Sequence, residues 1–367
     1  MTPLARLLAA RIAAEGPMPL AEFMVACLLH PEHGYYTGRD PLGAAGDFTT
    51  APEISQMFGE LLGLALAHAW RDQGAPGRIV LAEPGPGRGT LMADVLRAAT
   101  QVPGFTAAAG VHLVEASPLL RAAQAVRLAG HLPIWHDRLA DLPETPLYLI
   151  ANEFFDALPI RQFVRQRAGW AERQVGLSAG RLVLGLAPAL PLAALAPRLA
   201  DTQPGDVVET CAPAEAAIGE IAGRIARHGG AAIIIDYGDW ISRGDTFQAL
   251  RGHAPCDPLQ APGKADLTAH VAFAPLAAAA RAAGAATSAL VPQGVLLERL
   301  GITARAQVLA RGLSGAVLHS HIAAHRRLTH PQEMGNLFKA LAIHPAGAPP
   351  PPGFVSDQPK ADHAHDA

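Results

Sequence analysis

Apolar residues recur every three or four positions through the first 75 residues, as in amphipathic helices. The spacing predicts helices over Leu4–Glu15, Leu20–Leu29 and about Ile54–Arg71. A long loop rich in glycine and proline separates the second helix from the third. Gly16 and Pro17 follow the first helix and end it.

From Ile79 onward, short apolar runs alternate with helical patterns. The runs predict strands over Ile79–Glu83, Gly110–Glu115, Pro133–His136, Leu147–Asn152 and Ala231–Tyr237. Between the first four strands, the spacing predicts helices over Thr90–Ala99 and Pro118–Leu128 and a short connection near Leu139. This alternation predicts an α/β fold with a doubly wound, mostly parallel sheet.

The alternation is interrupted over residues 161–210, where hairpin strands with polar faces predict an antiparallel, β-rich insertion. Further along, the pattern predicts a strand over Ala286–Val291 and helices near Leu296–Arg311, Ala316–Leu328 and Met334–Leu341. We therefore expect a helical N-terminal region over 1–75 and a main domain over 76–345 that carries the insertion. The proline-rich residues 346–367 are predicted to be disordered or loosely held.

Composition mainly excludes functions. The formal net charge is -3 and no basic tract occurs, which argues against nucleic-acid binding. The three cysteines lie far apart, so the sequence predicts neither a zinc site nor a disulfide framework and fits a reducing compartment. Apolar runs are too short to span a bilayer, and the acid-poor start is interpreted as a helix of the fold rather than a transit peptide. We therefore expect a cytoplasmic protein without membrane insertion.

A glycine-rich loop, EPGPGRGT, follows the first predicted strand. Gly85, Gly87 and Gly89 form G-x-G-x-G, which is out of register with the G-x-G-x-x-G fingerprint of dinucleotide sites. Glu83 precedes the loop and Glu115 ends the next strand. This arrangement suits S-adenosylmethionine, because a carboxylate can accept both ribose hydroxyls and the cofactor has no pyrophosphate.

Asp137 follows the third strand, where its carboxylate could bind the adenine amino group. The alternative is that the glycines serve only a tight strand-to-helix turn. An alternative nicotinamide dehydrogenase is disfavoured by the misplaced third glycine.

The segment NEFFDALPI follows the fourth strand and holds two acids, Glu153 and Asp156. Buried carboxylates without cations are costly, so we expect them to meet a positive group of a substrate or of the protein. The alternative is a pair of acids near the positive end of a helix dipole. A third segment, GDFTTAPE, has the cap, proline and acid of an ordinary helix start.

Together these segments resemble one family, the MidA family, which includes a mitochondrial methyltransferase that assists assembly of respiratory complex I. The matching blocks, in order along almost the whole chain, are GYY (34–36), GDFTTAPEISQMFGE (46–60), EPGPGRGTLMADVLR (83–97), VEASPLLRAAQ (114–124), NEFFDALPI (152–160), IIDYG (234–238), PGKADLTAHVAF (262–273) and MGNLFKALA (334–342). Pro84 departs from the leucine usual in the family, at a position outside the glycines.

The resemblance implies a class I methyltransferase fold with S-adenosylmethionine as cofactor. It implies that the stretch Gly46, Asp47 and Phe48 closes over the cofactor. For the mitochondrial member it implies symmetric dimethylation of an arginine in a complex I subunit. We therefore expect a protein arginine methyltransferase whose partner is a protein substrate.

In this hypothesis Glu153 and Asp156 hold the guanidinium by fork-shaped hydrogen bonds, and Asn152 orients it. Two alternatives stay open: a non-catalytic assembly factor that binds a partner protein, and a small-molecule methyltransferase. The sequence predicts no metal site, because no cysteine or clustered acid completes a shell around its histidines. The sequence does not determine the oligomeric state, and a homodimer is compatible with the sequence.

Overall fold

The computed structural model describes residues 1–38, 50–167 and 169–357. Its helices are α1 Pro3–Glu15, α2 Leu20–Leu29, α3 Tyr35–Gly38, α4 Ala51–Ile54, α5 Gln56–Asp72, α6 Thr90–Ala99, α7 Phe105–Ala108, α8 Pro118–Arg127, α9 Ala212–His228, α10 Phe273–Ala282, α11 Gln293–Arg299, α12 Ile302–Ala310, α13 Gly315–Thr329 and α14 Met334–Leu337. Short 3₁₀ helices cover Ala129–His131, Leu139–Asp141 and Ala193–Leu199.

The strands of the described residues fall into three sheets. They are β1 Met18–Pro19, β2 Ile79–Pro84, β3 Ala109–Val114, β4 Ile134–His136, β5 Leu147–Asn152, β6 Arg161–Gln166, β7 Gly169–Ser178, β8 Arg181–Leu186, β9 Val207–Thr210, β10 Gly230–Asp239, β11 Gln248–Arg251, β12 Ala254–Cys256, β13 Asp266–Thr268, β14 Val271–Ala272, β15 Ala285–Thr287, β16 Val291–Pro292 and β17 Phe338–Pro345.

The main sheet has the strand order β15-β17-β10-β5-β2-β3-β4. Strands β10, β5, β2, β3 and β4 pair in parallel, which confirms the predicted doubly wound α/β architecture. One apolar core lies between one face of this sheet and helices α5 and α6. A second core lies between the other face and helices α9 and α10. Both faces are therefore covered, as expected for parallel strands with continuous apolar runs.

Strand β17 corrects the predicted helix over Met334–Leu341. Only α14 is helical, and the chain then extends through Phe338–Pro345 and pairs antiparallel with β10 over six residues. Ala340 and Leu341 favour a helix intrinsically, but they pack into the cores on opposite faces of the sheet. Burial on both faces within the sheet overrides the weak local propensity.

The helix predicted over about Ile54–Arg71 is confirmed as α5, and the one predicted near Leu296–Arg311 is divided. Ser55 has an extended backbone (φ -160°) between α4 and α5, and its hydroxyl caps α5 by accepting from Met57 N at 3.3 Å. Gly301 separates α11 from α12 with φ +91°. The N-terminal helices predicted over Leu4–Glu15 and Leu20–Leu29 are confirmed.

The insertion forms a second sheet of order β1-β7-β6-β9, with β8 paired to β7. Its antiparallel pairing confirms the predicted hairpins. Strand β1 belongs to the N-terminal region, so that region and the insertion share a sheet and a core, to which Phe23 and Val175 contribute. The boundary at residue 75 stays a prediction.

The start of the predicted tail is packed against the main domain. Phe354 joins the core on the α5 side of the sheet, and Ser356 forms an antiparallel bridge with Ser288. This part therefore differs from the loose tail expected, while residues 358–367 lie outside the described residues. Within the described ranges, no helix has the length and apolar character to cross a membrane.

Candidate active site

The carboxyl ends of four parallel strands meet at one edge of the main sheet. There Glu83 lies in β2, Glu115 follows β3, Asn152 ends β5, and Asp236 lies in β10. The register places Ile235 beside Asn152, so Asp236 follows at the same level as Glu153. A cavity of about 350 Å³ opens at this edge and is lined by Glu83, Glu115 and Glu153. This is where ligands bind in open α/β sheets.

The glycine loop forms one wall of the cavity. Gly85, Gly87 and Gly89 all have positive φ, at +62°, +52° and +77°. The backbone conformation favours glycine at Gly85, and a Cβ there would lie 3.1 Å from the ring of Phe154, which would have to shift slightly. The loop therefore brings bare backbone against the cavity.

Two buried acceptors on the cavity wall lack donors. Glu83 Oε2 and Asn152 Oδ1 are shielded from solvent and have no hydrogen-bond partner among the described residues. Burial raises the pKa of Glu83 to about 8, and the nearby Glu115 adds to the rise. A bound ammonium group would supply the missing donors and favour the ionised carboxylate.

Glu115 is held by two donors. Its Oε1 accepts from the backbone N–H of Ser117 at 2.8 Å, and its Oε2 accepts from Gln124 Nε2 at 3.2 Å. Burial raises the pKa of Glu115, and both hydrogen bonds oppose that rise. Gln124 was missed by the sequence analysis, although Leu120, Gln124 and Leu128 form a stripe at four-residue spacing that points inward.

Asp137 lines the cavity but already has a partner. Its Oδ1 accepts from Arg121 Nη2 at 2.6 Å. The same guanidinium donates to the backbone oxygens of Glu115 and His136. Arg121 therefore ties together the ends of β3 and β4, and Asp137 Oδ2 is the oxygen that can face a ligand.

Glu153 stands between the cavity and the N-terminal region. Its backbone has φ +50°, a left-handed conformation that is strained for a non-glycine residue. Its Oε1 accepts from Asn152 Nδ2 at 3.0 Å and from the backbone N–H of Ala51 at 3.2 Å. Burial raises the pKa of Glu153 to about 7, and the charge of Asp156 contributes.

Asp156 and Asp236 lie behind Glu153, and we call these three residues the acidic cluster. Asp236 Oδ2 accepts from the backbone N–H groups of Phe155 and Asp156 at 3.0 and 3.2 Å, which pins the strained turn to β10. Asp156 is not among the residues that line the cavity in the described chain. Burial raises the pKa values of Asp156 and Asp236, and the neighbouring carboxylates further raise that of Asp236.

The N-terminal region completes the cavity wall. Thr90 Oγ1, at the start of α6, donates to Glu53 Oε1 at 2.6 Å, so α4 is fastened to the glycine loop's helix. Both residues line the cavity, although the sequence around Glu53 indicates only a helix start. Gly46, Asp47 and Phe48 lie outside the described residues, so their predicted closure over the cofactor stays a prediction.

The residues present fit S-adenosylmethionine. Orphaned acceptors suit its ammonium group, and a held carboxylate at the end of β3 suits a ribose diol. Two buried carboxylates would repel the pyrophosphate of a dinucleotide. Among the described residues, no three His, Cys, Asp or Glu side chains are grouped so as to hold a metal ion.

Comparison with known proteins agrees with this geometry. Residues 61–291 match the model of a family described as S-adenosyl-L-methionine-dependent methyltransferases. The mitochondrial protein arginine methyltransferase NDUFAF7 of Danio rerio is 38% identical, over 92% of this chain and 85% of its own. The Homo sapiens protein of the same name is 37% identical, over 94% of this chain and 84% of its own. A Burkholderia thailandensis protein crystallised with S-adenosyl-homocysteine is 32% identical and superimposes with a TM-score of 0.80, covering 93% of this chain and 91% of that one.

The relatives also correct one expectation. The predicted cytoplasmic location is wrong. The matching proteins of Danio rerio, Drosophila melanogaster and Homo sapiens are named as mitochondrial. Composition and cysteine spacing report a reducing environment, which several compartments share, so they could not identify the location.

Proposed function

Because the chain belongs to the MidA family of S-adenosylmethionine-dependent methyltransferases, we propose that its methyl acceptor is an arginine side chain of a protein. The family, the methyltransferase fold and the cofactor follow from the matches above and agree with the sequence predictions. The relatives' name, protein arginine methyltransferase, supports the choice of acceptor.

The acidic cluster is the observation that carries this proposal. In the described chain, none of its three carboxylates has a basic partner, and Asp156 Oδ1 is buried without any hydrogen bond. Ionising a buried carboxyl without a counter-ion is costly, so a bound cation would stabilise the ionised form of the cluster. A guanidinium supplies both the positive charge and planar donors that match carboxylate oxygens.

We assign the roles in the acceptor site from this geometry. Bound S-adenosylmethionine supplies an electrophilic methyl group on a positively charged sulfur. Glu153 holds the guanidinium at the cavity wall and accepts the proton that the attacking nitrogen gives up. Its pKa of about 7 suits a general base near neutral pH. Asp156 adds negative charge behind Glu153. Asn152 orients the Glu153 carboxylate through the 3.0 Å hydrogen bond from its Nδ2.

The cofactor roles belong to other groups that line the same cavity, together with the side-chain oxygen of Asn152. Glu83 and the Asn152 carbonyl accept from the ammonium group, and Glu115 accepts from the ribose hydroxyls. The backbone at Gly85, Gly87 and Gly89 lies against the methionine portion. Asp137 Oδ2 accepts from the adenine amino group, while Arg121 holds the other oxygen. Positioning of donor and acceptor in line is the main task of such a site.

A finer proposal concerns the protein that carries the arginine. We propose a subunit of respiratory complex I, symmetrically dimethylated, with this protein acting in assembly of the complex. The support is the resemblance of eight ordered sequence blocks to the MidA family.

Mass spectrometry of methylarginine tests both the arginine acceptor and the proposed complex I subunit. Cells that lack this protein would be compared with the same cells complemented by wild type, Glu153→Gln or the surface variant Glu15→Gln. We expect one or more methylarginine sites that wild type and Glu15→Gln restore and Glu153→Gln does not. Sites on lysine or on small molecules alone would overturn the arginine proposal. Arginine sites outside complex I would overturn only the finer one.

A further inference from the structure

Gln124 in α8 is a fully buried polar residue that joins two walls of the cofactor cavity. Its Nε2 donates to Gly87 O at 2.7 Å and to Glu115 Oε2 at 3.2 Å. One side chain therefore contacts both the glycine loop and the acid that ends β3.

A hydrogen bond from Trp135 fixes the orientation of this amide. Trp135 Nε1 donates to Gln124 Oε1 at 2.8 Å, and an indole N–H is only a donor. The amide oxygen must therefore face Trp135, and both amide hydrogens must face the cavity side. With the amide turned over, Gln124 would place an oxygen against the Glu115 carboxylate and leave the indole without an acceptor.

The neighbours of Gln124 along its buried stripe are apolar. Leu120 and Leu128 lie one turn before and after it on the same buried stripe, and both are almost completely shielded. Burying an amide there costs free energy unless its hydrogen bonds are made. Packing alone does not explain a glutamine at this position, whereas its three hydrogen bonds do.

Gln124 also leaves room for a ligand on Glu115. Ser117 N–H takes one carboxylate oxygen and Gln124 takes the other, each with one hydrogen bond. An ionised carboxylate offers about four lone-pair sites, so both oxygens remain able to accept from a ribose diol. The two donors set the plane of the carboxylate before any ligand arrives.

We propose that Gln124 is a positioning residue for the cofactor: held by Trp135, it fixes the Glu115 carboxylate for the ribose hydroxyls. The inference deepens the proposed function and rests on its assignment of Glu115 to the ribose.

Calorimetric titration with two ligands tests the inference. The probes are S-adenosylhomocysteine and its 2′,3′-dideoxyribose analogue, which lacks the hydroxyls that Glu115 would bind. The variants are Gln124→Met, Trp135→Phe and Glu115→Gln, and the exposed Gln101→Met is the matched control. We expect Gln124→Met to weaken S-adenosylhomocysteine about tenfold, as for a hydrogen bond to a charged group, and to leave the analogue's affinity unchanged.

Trp135→Phe should weaken S-adenosylhomocysteine binding by a smaller factor and should also leave the analogue's affinity unchanged. If Gln124→Met does not fold, Trp135→Phe is the variant that tests the inference. Equal losses for both ligands in these variants would mean that Gln124 serves packing only, and would overturn the inference. A Glu115→Gln variant that does not distinguish the ligands would overturn the ribose assignment as well. If Glu115→Gln distinguishes them and Gln124→Met does not, the inference alone fails.

Discussion

The phenolic hydroxyl of Tyr237 donates a 2.6 Å hydrogen bond to Asp156 Oδ2. Tyr237 lies in β10 and Asp156 follows β5, so this bond joins the ends of two neighbouring strands. It also opposes the rise that burial causes in the pKa of Asp156. The tyrosine therefore helps keep a negative charge where the acceptor is proposed to bind.

Tyr237→Phe should raise the pKa of Asp156, because the bond that favours the ionised form is lost. If ionised Asp156 helps hold the guanidinium, the acid limb of the kcat/KM profile will move to higher pH. Activity on that limb should then fall by about tenfold for every pH unit that the limb moves, so the loss is larger at the acid end of the profile than at the alkaline end. Kinetics across the neutral pH range check the prediction. Tyr148→Phe, in the buried part of β5, is the matched control and should leave the profile in place.

Glu153→Gln should abolish most methyl transfer while S-adenosylhomocysteine still binds. The amide can hold a guanidinium only weakly and cannot accept the proton, so we expect a loss of about 100-fold or more in kcat. Radiolabel transfer and calorimetry measure the two properties separately. Glu15→Gln, in an exposed pair with Arg11, should change neither. Full activity of Glu153→Gln would remove Glu153 from the chemistry.

Gly85→Ala should weaken both folding and cofactor binding. The left-handed backbone costs alanine about 1 kcal/mol or more, and its Cβ would press on Phe154 at 3.1 Å. Gly180 also has positive φ, at +74°, but a Cβ there meets nothing within 4 Å. Urea denaturation should show a loss of stability for both alanine variants, at least as large for Gly85→Ala as for Gly180→Ala, whereas only Gly85→Ala should reduce affinity for S-adenosylhomocysteine. Equal affinities would mean that the loop adapts and that the contact with Phe154 is unimportant.

The stability of the cofactor-free protein should fall as pH rises. The pKa of Glu83 is about 8 in the folded chain, against an ordinary value of 4.5. Between these values the folded state binds more protons than the unfolded state, so the free energy of unfolding decreases with pH. This contribution is complete below the ordinary value of 4.5 and is lost as pH rises through about 8.

Glu83→Gln should flatten that dependence, because the amide does not titrate. The difference in slope is at most about 1.4 kcal/mol per pH unit for one group. Urea denaturation at several pH values between the ordinary and the raised pKa measures it, with the exposed Glu32→Gln as control. Identical slopes for Glu83→Gln and wild type would show that Glu83 titrates normally in the folded protein.

Local patterns predicted the parallel strands well, because continuous apolar runs such as Ile233–Ile235 are unambiguous in a buried sheet. They failed at β17, where Ala340 and Leu341 suit a helix and only pairing with β10 decides the conformation. They found the acids that end the strands, since topology brings strand ends together. They missed Gln124, whose role depends on three partners from three segments.

The role of Asp236 in the site also could not be predicted from local sequence patterns. The surrounding sequence, IIDYG, indicates the end of a strand and gives no role to the carboxylate. In the structure, this carboxylate accepts from the backbone N–H groups of Phe155 and Asp156 and pins their turn. Glu153's positive φ likewise comes from that turn, and no local propensity predicts it.

The position of β17 has a consequence for biosynthesis. Strand β10 lies between β5 and β17, so one of its edges stays open until residues 338–345 have left the ribosome. A long stretch of chain, from Asp239 to Phe338, separates the two strands, and contacts of such long range form slowly. The nascent chain must carry an apolar strand with one open edge through that interval, which is the state in which chaperones bind and aggregation begins. The strand that completes the sheet is also the one that ends this exposure.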